Sequence, residues 1–382
     1  MLLRIGIDYT AAARQGAGIG RYTRELITAA LALRPDHDIV LLAATAGLGE
    51  AWTRQARRLH EIASPGRLSI RTLPLTDDWM ARLWHRLRLP LPAELVTGKL
   101  DLFYAPDFLL PPLAGKARTL ITIHDLSFLR HPETFPSQLR AYLETAVPRS
   151  AERADHVLTD SEATRRDVIE LLGLAPERVT TLLLGVSDTF TPDAGPHERA
   201  HLRSAYAIGD RPYILAVGTV QPRKNYARLI SAVDRVREVA DVDLVIAGRP
   251  AWLADEVLAA AAARDHVHLL GFVADTDLPM LYRQAGALAF PSLYEGFGLP
   301  PLEAMACGTP VIASSASSVP EAVGDAGLLL DPLDVAAWAD ALIAVHADAD
   351  LRAGLIAAGL ARAAGFTWTR AAEAWLAAIA RM

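Results

Sequence analysis

Short runs of hydrophobic residues alternate along this chain with longer segments of helical periodicity. The runs are continuous, as is typical of parallel strands covered by helices on both faces, and strand–helix alternation favours right-handed crossovers. The strands predicted in the first half are Leu2–Asp8, Ile39–Ala44, Leu68–Leu73, Leu100–Ala105, Thr119–His124, His156–Thr159 and Val179–Leu184. Those predicted in the second half are Tyr213–Gly218, Leu244–Gly248, Val267–Gly271, Ala287–Pro291, Pro310–Ala313 and Gly327–Leu330.

A stretch rich in proline, glycine and charge, residues 185–211, separates the two series of strands. With 382 residues, the chain has room for two domains at roughly 100–200 residues each. The pattern therefore predicts an α/β protein with two Rossmann-like parallel-sheet domains, residues 1–186 and 187–367, facing a cleft. A last helix is predicted over Arg370–Arg381, with Thr369 as its N-cap.

Composition narrows the class of protein. A net charge of −6 argues against nucleic acid as the main partner. The single cysteine, Cys307, excludes a disulfide within the chain, favours a reducing compartment, and is interpreted as a packed core residue. The N-terminal sequence is typical of a first strand, and no run reaches the ~20 apolar residues that span a bilayer. We expect a cytoplasmic protein, free or at the inner face of the cell membrane.

The most informative segment follows the predicted strand Ala287–Pro291 and contains two glutamates, Glu295 and Glu303. Two carboxylates around a glycine-rich helix start suit a ligand that carries both hydroxyls and a diphosphate. The alternative is that Glu303 compensates the helix dipole and Glu295 is a solvated loop charge. The amides expected to donate to phosphate or sugar oxygens are those of Phe297, Gly298 and Leu299.

A basic pair, Arg223-Lys224, follows the first strand of the second half. Arginine can bind a diphosphate in a bidentate way, while lysine acts as a point charge. The alternative is a solvated basic turn before a helix that starts near Asn225. In the first half, His124 ends a strand, where it could hydrogen-bond a sugar hydroxyl. The alternative for His124 is a core histidine bonded to the backbone.

Three glycines, Gly16, Gly18 and Gly20, follow the first strand. Their spacing resembles the dinucleotide-binding fingerprint without matching it, and no acidic residue closes the second strand. This disfavours NAD binding. A flexible loop that touches phosphate or acceptor is expected, with a plain tight turn as the alternative.

Metal-dependent transferases often hold a cation with an Asp-x-Asp tripeptide. Four such tripeptides occur here, and none has the expected strand lead-in; Asp275 of one of them fits an N-cap for a helix over Leu278–Ala285. We expect a metal-free site without a cofactor, in which basic side chains and helix amides supply the positive field. The tripeptides begin at Asp36, Asp241, Asp275 and Asp348.

Together these segments resemble glycosyltransferase family 4, retaining enzymes of the GT-B fold. Glu295 and Glu303 match the family's signature of two glutamates separated by seven residues. The glycine loop, His124, Ser161, the Arg223-Lys224 turn and the final helix follow in the family's order, so the resemblance covers nearly the whole chain.

The resemblance implies a role for each matching residue. Glu295 contacts the donor sugar hydroxyls and Glu303 the nucleotide ribose, while Arg223 and Lys224 hold the diphosphate and His124 faces the sugar near the reacting carbon. It also implies that the helix within residues 368–382 packs back on the N-terminal domain. The nucleotide base is expected to lie against Gly271, Phe272 and Val273.

Many relatives have an arginine where this chain has Thr219, and the basic pair Arg223-Lys224 resembles a mannosyltransferase-like subgroup of bacterial polysaccharide synthesis. The implied reaction moves a hexose from a nucleotide diphosphate sugar, GDP-mannose first and a UDP-hexose second, to a glycan or polyprenyl-diphosphate-linked acceptor. Three alternatives stay open: a sugar-nucleotide 2-epimerase of the same fold, a non-catalytic binding protein and a Rossmann oxidoreductase.

The segment Trp79–Leu91 mixes tryptophan, leucine and arginine. This composition suits an interfacial helix on anionic lipid or a site for a lipid-diphosphate acceptor. An ordinary amphipathic helix packed on the sheet is the alternative. The residues that suggest membrane contact are Trp79, Trp84, Arg82, Arg86 and Arg88.

Overall fold

The computed structural model describes residues 2–16, 18–87 and 89–382. Two residues of the predicted functional segments, Ala17 of the glycine loop and Arg88 of segment 79–91, lie outside the described residues. Contacts divide the chain into two compact units. Unit 1 comprises Met1–Leu126, Ala141–Gly185 and Trp368–Met382, and unit 2 comprises Ser127–Arg140 and Val186–Thr367.

Residues 127–140 depart from the predicted domain boundary, because they group with unit 2 and not with the first domain. The physical reason is their packing: the indole nitrogen of Trp252 donates to the carbonyl oxygen of Thr134 at 2.8 Å. The ring of Phe135 also lies 5.6 Å from that of Trp252, measured between centroids.

Unit 1 contains a seven-stranded sheet in which the paired strands are parallel. Its strand order is β3-β2-β1-β4-β5-β6-β7, so the order reverses between β1 and β4. Its strands are β1 (Arg4–Asp8), β2 (Asp38–Ala44), β3 (Leu68–Leu73), β4 (Leu102–Ala105), β5 (Arg118–Ile123), β6 (His156–Thr159) and β7 (Val179–Thr181).

Unit 2 contains a six-stranded parallel sheet with the order β10-β9-β8-β11-β12-β13, which reverses between β8 and β11. The first six strands of unit 1 and the six of unit 2 share the Rossmann order. The strands of unit 2 are β8 (Tyr213–Val217), β9 (Asp243–Ala247), β10 (Val267–Gly271), β11 (Ala287–Phe290), β12 (Val311–Ser314) and β13 (Leu328–Leu330).

Helices connect the strands, and no helix among the described residues combines the length and apolar character needed to cross a bilayer. Residues 82–86 form a π-helical turn, and residues 132–134, 176–178, 222–224 and 324–326 form 3₁₀ turns. The α-helices are α1 (Thr10–Arg14), α2 (Ile19–Ala32), α3 (Gly49–Ile62), α4 (Asp77–Ala81), α5 (Glu94–Thr97), α6 (Ser127–Arg130), α7 (Ser137–Arg153), α8 (Glu162–Leu172), α9 (Glu198–Tyr206), α10 (Tyr226–Val236), α11 (Asp255–Ala262), α12 (Leu278–Gln284), α13 (Leu299–Ala306), α14 (Val319–Val323), α15 (Val335–Ala347), α16 (Ala349–Ala363) and α17 (Trp368–Arg381).

The sheets are buried as the continuous apolar runs predict. Every residue of β4, β9, β11 and β12 is buried, which requires cover on both faces of these strands. In unit 1, the ring of Trp375 of α17 is fully buried and lies 5.5 Å from that of Tyr104 of β4. The predicted α/β class with two Rossmann-like parallel-sheet domains is confirmed.

Two predicted helix caps are wrong. Asp277, not Asp275, occupies the N-cap position of α12, and its carboxylate accepts the hydroxyl of Tyr206 at 2.7 Å instead of capping the helix. The last helix begins at Trp368, so Thr369 lies inside its first turn. The buried Trp368, whose ring lies 6.2 Å from that of Tyr22, anchors this earlier start.

Candidate functional site

The candidate residues of unit 2 follow β8 and β11, the two strands between which the strand order reverses. In open parallel sheets, loops at the carboxyl ends of such a strand pair diverge and leave a crevice for ligands. Arg223 and Lys224 come from the loop after β8, and Glu295 from the loop after β11. The topology therefore brings together two segments that are separate in the sequence.

The loop after β8 is shaped by a glycine and an asparagine. A Cβ atom added to Gly218 would lie 3.0 Å from Cε of Lys224, so glycine leaves room for that side chain to pass. Asn225 has a left-handed backbone, with φ 60°, and ends the turn that carries the basic pair. The side-chain amide nitrogen of Asn225, Nδ2, donates to the carbonyl oxygens of Pro291 and Pro332. These hydrogen bonds fix the turn beside the end of β11.

Two serines hold the loop that carries Glu295. The backbone N–H of Glu295 donates to Oγ of Ser317 at 2.8 Å. The hydroxyl of the buried Ser318 donates to the carbonyl oxygens of Glu295, at 2.8 Å, and Phe297, at 3.1 Å. These contacts fix the backbone on both sides of Gly296. The position from which the side chain of Glu295 extends is therefore fixed as well.

Glu295, Lys224 and Arg223 form one buried ionic cluster, which we call the donor-site cluster. Nζ of Lys224 lies 2.6 Å from Oε1 of Glu295, and Nη1 of Arg223 lies 3.0 Å from Oε2. The three side chains are only 10–11% exposed. The ammonium of Lys224 also lies 5.0 Å from the centroid of the Phe290 ring, an additional favourable contact for a cation.

The cations keep Glu295 ionised. Burial raises the pKa of this carboxyl, but the charges of Arg223 and Lys224 and the hydrogen bond from Lys224 outweigh burial and lower the pKa to about 2. Within the cluster, two positive charges face one negative charge. The cluster therefore has an excess of one positive charge at neutral pH, which suits an anionic ligand.

The burial of the cluster overturns two of the simpler interpretations. Glu295 is not a solvated loop charge, and the Arg223-Lys224 pair is not a solvated basic turn, because all three side chains are largely buried and paired. Their expected contacts with sugar hydroxyls and diphosphate stay predictions. The direct contact between Glu295 and the basic pair was not predicted from the sequence.

The second glutamate of the motif is also buried. Glu303 is the fifth residue of α13, so the alternative that places it in the first helical turn as a dipole partner is wrong. Its Oε2 accepts the hydroxyl of Tyr282 at 2.9 Å, which orients the carboxylate. Gly298 is the N-cap of α13, and the amides of the first turn of any α-helix lack partners within the helix, as the expected role of Phe297, Gly298 and Leu299 requires.

The three residues expected to contact the nucleotide base lie at the end of β10 and directly after it. Gly271 has a left-handed backbone, with φ 67°, and space around the position of its missing Cβ. Phe272 is 50% exposed, and the guanidinium carbon of Arg249 lies 4.7 Å from the centroid of its ring. An exposed aromatic ring beside a strand end is suited to stack on a base. The expected base contacts of Gly271, Phe272 and Val273 stay predictions.

In unit 1, His124 follows β5 and is held by two hydrogen bonds. Its Nδ1 lies 2.7 Å from Oδ2 of Asp160, which follows β6, and its Nε2 lies 2.9 Å from the carbonyl oxygen of Pro106, after β4. The bond to Pro106 is the backbone hydrogen bond that the alternative of a core histidine predicts. The side chain is 15% exposed, and the expected contact of His124 with a sugar stays a prediction.

The carboxylates around His124 make it basic. Burial lowers the pKa of the imidazole, but Asp160, Asp107 and the carbonyl of Pro106 together outweigh burial and raise the pKa to about 9. Burial raises the pKa of Asp160 and Asp107, and the charge of His124 partly opposes this change in each.

Two of the three glycines after β1, Gly18 and Gly20, belong to the start of a helix. Gly18 is the N-cap of α2, with φ 54°, and Gly20 lies in its first turn. A Cβ atom on Gly20 would lie 2.4 Å from the carbonyl oxygen of Gln15, so the backbone here is too tightly packed for any other residue. Gly18 and Gly20 thus form a tight helix start. The expected contact of Gly16, Gly18 and Gly20 with phosphate or acceptor, through a flexible loop, stays a prediction.

Segment 79–91 is not one amphipathic helix. Residues 77–81 are α-helical and residues 82–86 form a π-helical turn. Trp84 is buried and its indole nitrogen donates to the carbonyl oxygen of Leu91 at 2.9 Å, so this tryptophan does not belong to an exposed apolar surface. The exposed large hydrophobic residues of the segment are Trp79, Leu87, Leu89 and Leu91.

Residues that sequence reasoning missed hold the candidate ones in place: Asp160 on His124, Tyr282 on Glu303, and Ser317 and Ser318 on Glu295. Asp160 carries a detectable signal, because it is an acidic residue directly after a predicted strand. In the described part of the chain, no group of three or more His, Cys, Asp or Glu side chains could hold a metal ion, and metal independence stays a prediction. Cys307 is buried, and burial raises the pKa of its thiol to about 12.

Two family models match the chain. Residues 16–190 match Glycosyltransferase Family 4, and residues 198–362 match Glycosyl transferases group 1. The matched ranges correspond to the two series of strands.

Curated relatives and solved structures agree with these matches. The chain is 33% identical over 358 residues to the O-antigen chain mannosyltransferase B of Escherichia coli, with 92% of each chain covered. It is 31% identical over 268 residues to the serotype-specific mannosyltransferase WbdA of Escherichia coli, covering 67% of this chain and 32% of that one. The structure of HepE from Anabaena, in complex with UDP and glucose, superimposes over 100% of both chains with a TM-score of 0.73 at 20% identity.

The donor-site cluster generates a prediction about stability. Because Glu295 has a folded pKa of about 2, below its usual 4.5, its contribution to the free energy of unfolding is complete above pH 4.5 and is lost as the pH falls towards 2. At roughly 1.4 kcal/mol per pKa unit, the difference in unfolding free energy between wild type and Glu295→Gln should fall by about 2 kcal/mol from pH 5 to pH 3. Urea unfolding at both pH values measures it.

The matched control is Glu256→Gln, which changes an exposed carboxylate of the same unit. The difference in unfolding free energy between wild type and Glu256→Gln should stay nearly constant from pH 5 to pH 3. A constant difference for Glu295→Gln as well would contradict the ion-paired state of the cluster.

Proposed function

This chain belongs to glycosyltransferase family 4, and from that premise we propose that it is a retaining hexosyltransferase that uses a nucleotide diphosphate sugar as donor. The observation that carries the proposal is the donor-site cluster, in which Glu295 holds the side chains of Arg223 and Lys224 at the strand-order reversal of unit 2. We assign donor binding to this unit.

The cluster suits a diphosphate because its cations are fixed before the ligand arrives. Holding a lysine and an arginine side chain in one geometry costs conformational entropy, and the hydrogen bonds to Glu295 have already offset that cost. The buried setting also strengthens every charge interaction relative to water. We therefore assign the phosphate contacts to Lys224 and Arg223, and the contacts with donor hydroxyls to Glu295.

The proposed reaction needs no nucleophile from the protein. The bond from the sugar's anomeric carbon to the diphosphate breaks, the bond from the acceptor oxygen forms on the same face, and the acceptor's proton passes to the leaving diphosphate. The developing negative charge lies on the diphosphate. The protein's main task is to stabilise that charge with fixed cations and helix amides and to align the two substrates.

GDP-mannose is the proposed donor, with a UDP-hexose second. A relative that covers 92% of this chain is named an O-antigen chain mannosyltransferase B, which supports mannose as the sugar and a glycan of polysaccharide synthesis as the acceptor. A polyprenyl-diphosphate link on that acceptor is part of the proposal. The exposed Phe272 and the buried Glu303 are proposed to contact the base and the ribose. No metal or cofactor is part of the proposal.

A lipid-linked acceptor would bring the enzyme to a membrane, and the exposed part of segment 79–91 suits such contact. Trp79, Leu87, Leu89 and Leu91 are 37–63% exposed, and the exposed Arg82 and Arg86 lie among them in sequence. Apolar side chains interspersed with arginine favour an anionic lipid surface. We propose peripheral contact of this surface with the inner face of the cell membrane.

The donor assignment predicts the ligand that stabilises the protein most. A ligand present at a hundred times its Kd adds about 2.7 kcal/mol to the free energy of unfolding, so a thermal-shift panel should single out the true donor. GDP-mannose should give the largest shift and free mannose none. A larger shift with a UDP-hexose would replace the donor, and no shift with any nucleotide sugar would contradict the proposal. A 2-epimerase would instead convert the donor to its epimer without acceptor, which chromatography detects.

The phosphate role of Lys224 predicts a loss of turnover with retained folding. Removal of one charge that stabilises the leaving group costs ~3 kcal/mol, so Lys224→Met should lower kcat at least about a hundredfold. Arg223 still compensates Glu295 in this variant, and the folded state should survive. The variant should also lose most of the preference for GDP over GMP, measured by calorimetry.

The control for Lys224 is Arg264→Met, which breaks the ion pair with Asp234 in the same unit but outside the cluster. It should turn over donor like wild type. If Lys224→Met is folded and keeps wild-type kcat and GDP affinity, Lys224 does not bind the diphosphate.

The membrane proposal predicts binding that depends on charge. At roughly 1 kcal/mol per basic residue near an anionic surface, the double variant Arg82→Glu, Arg86→Glu should bind phosphatidylglycerol vesicles at least tenfold more weakly. Co-sedimentation measures this, with phosphatidylcholine vesicles as the neutral reference. The matched control, Arg57→Glu with Arg58→Glu, makes the same charge change on the exposed face of α3. Equal binding of all three proteins would rule out this surface.

A further inference from the structure

His124 faces a hydrogen-bond acceptor at each of its two ring nitrogens. Nδ1 lies 2.7 Å from a carboxylate oxygen of Asp160, and Nε2 lies 2.9 Å from the carbonyl oxygen of Pro106. A backbone carbonyl can only accept, so Nε2 must carry a proton. An ionised carboxylate can also only accept, so Nδ1 must carry one as well unless Asp160 is itself protonated.

The proton between Asp160 and His124 belongs on the ring. Imidazole is a stronger base than a carboxylate by roughly 2.5 pKa units, and the charge of Asp107 raises the pKa of the imidazole further. The remaining oxygen of Asp160, Oδ1, is buried without a hydrogen-bond partner among the described residues. A protonated Asp160 would leave the cationic form of the ring without its closest counter-charge.

The other titratable groups around the ring do not oppose this state. The ring of Tyr22 of α2 meets that of His124 edge-on, with 4.8 Å between the ring centroids. Burial raises the pKa of Tyr22 and of Tyr104 of β4 well above neutrality, so both hydroxyls are uncharged. Farther from the ring, burial raises the pKa of Asp8 at the end of β1, and the charge of Asp107 raises it further. Burial also raises the pKa of Asp160, the charge of His124 lowers it, and the charge of Asp125 adds a smaller increase. The carboxylates that follow β4 and β6, the two strands next to β5, therefore favour a cation at His124.

Asp160 is rigidly placed for this task. It lies between the end of β6 and Ser161, the N-cap of α8, whose hydroxyl accepts the backbone N–H of Thr164 at 3.0 Å. The hydroxyl of Thr164 donates in turn to the carbonyl oxygen of His124 at 3.3 Å. The start of α8 thus fixes both the carboxylate and the backbone of the histidine.

We propose that Asp160 is a positioning residue that keeps both ring nitrogens of His124 protonated, so that His124 takes part in sugar transfer as a fixed cation and not as a proton acceptor. The inference rests on the proposed function, and it deepens it. A doubly protonated ring cannot receive the acceptor's proton, which agrees with the proposed transfer of that proton to the departing diphosphate. His124 can act on the substrates only through its charge.

The protonation state is measured without any substrate. In ¹⁵N-labelled protein at pH 7.5, long-range ¹⁵N–¹H spectra should show both ring nitrogens of His124 as protonated, with the signals assigned by their loss in His124→Gln. In Asp160→Asn, the ring should be neutral at the same pH. His156, whose Nε2 lies 2.8 Å from the hydroxyl of Thr180, is the internal reference and should be neutral in both proteins, because burial lowers its pKa. A neutral His124 in the wild type overturns the proposal, whether or not the variant folds.

Kinetics test the part that concerns sugar transfer. Wild-type kcat should show no inflection from His124 between pH 6 and 8. Asp160→Asn should lower kcat at least about tenfold at pH 8 and recover part of it at pH 6, where the ring protonates again, with little change in donor KM. A loss of rate that is equal at both pH values would indicate a merely structural role and overturn the proposal. If the spectra are as expected but the wild type turns over no nucleotide sugar, the proposed function fails while the protonation state stands.

Discussion

A buried carboxylate between two buried cations is the interaction on which the candidate donor site depends. Removing one partner from a buried ion pair typically costs 3–5 kcal/mol, because the remaining charge is left without compensation. Besides its proposed contact with a sugar, Glu295 therefore has a structural role. It is the reason that Arg223 and Lys224 can stay charged and fixed within a unit that buries them almost completely. Within the cluster two cations face one carboxylate, which suits the anionic ligand proposed for this site.

The parallel sheets explain why the chemistry lies where it does. Strands that are buried on both faces disfavour charged side chains along their length, so charged residues concentrate at the strand ends and in the loops that follow them. Where the strand order reverses, two such loops diverge. In unit 2 these loops carry the donor-site cluster, and in unit 1 the strands next to the reversal end at Asp8 and lead into Asp107. Both units thus place charged groups at the same topological position.

The strands and the separate site segments could be predicted from the sequence, because continuous apolar runs and glycine-rich turns are local signals. Contacts between segments could not. Lys224 and Glu295 are 71 residues apart, and their contact depends on β8 and β11 lying side by side, which no spacing within either segment reveals. The helix caps failed for a different reason. Asp275 and Asp277 offer the same side chain two residues apart, and the bond from Tyr206 decides how Asp277 is used.

Asp160 shows the same limit in unit 1, since its contact with His124 joins the ends of neighbouring strands 36 residues apart. It also reveals a difference between the two units. At the carboxyl ends of the strands in unit 1, three aspartates, Asp8, Asp107 and Asp160, outnumber the histidine on which Asp107 and Asp160 act, so a diphosphate bound there would meet an excess of acidic groups. The donor-site cluster of unit 2 has the opposite excess. This difference supports the proposal that the phosphates of the donor bind unit 2, and it disfavours phosphate at the edge of unit 1 that carries His124.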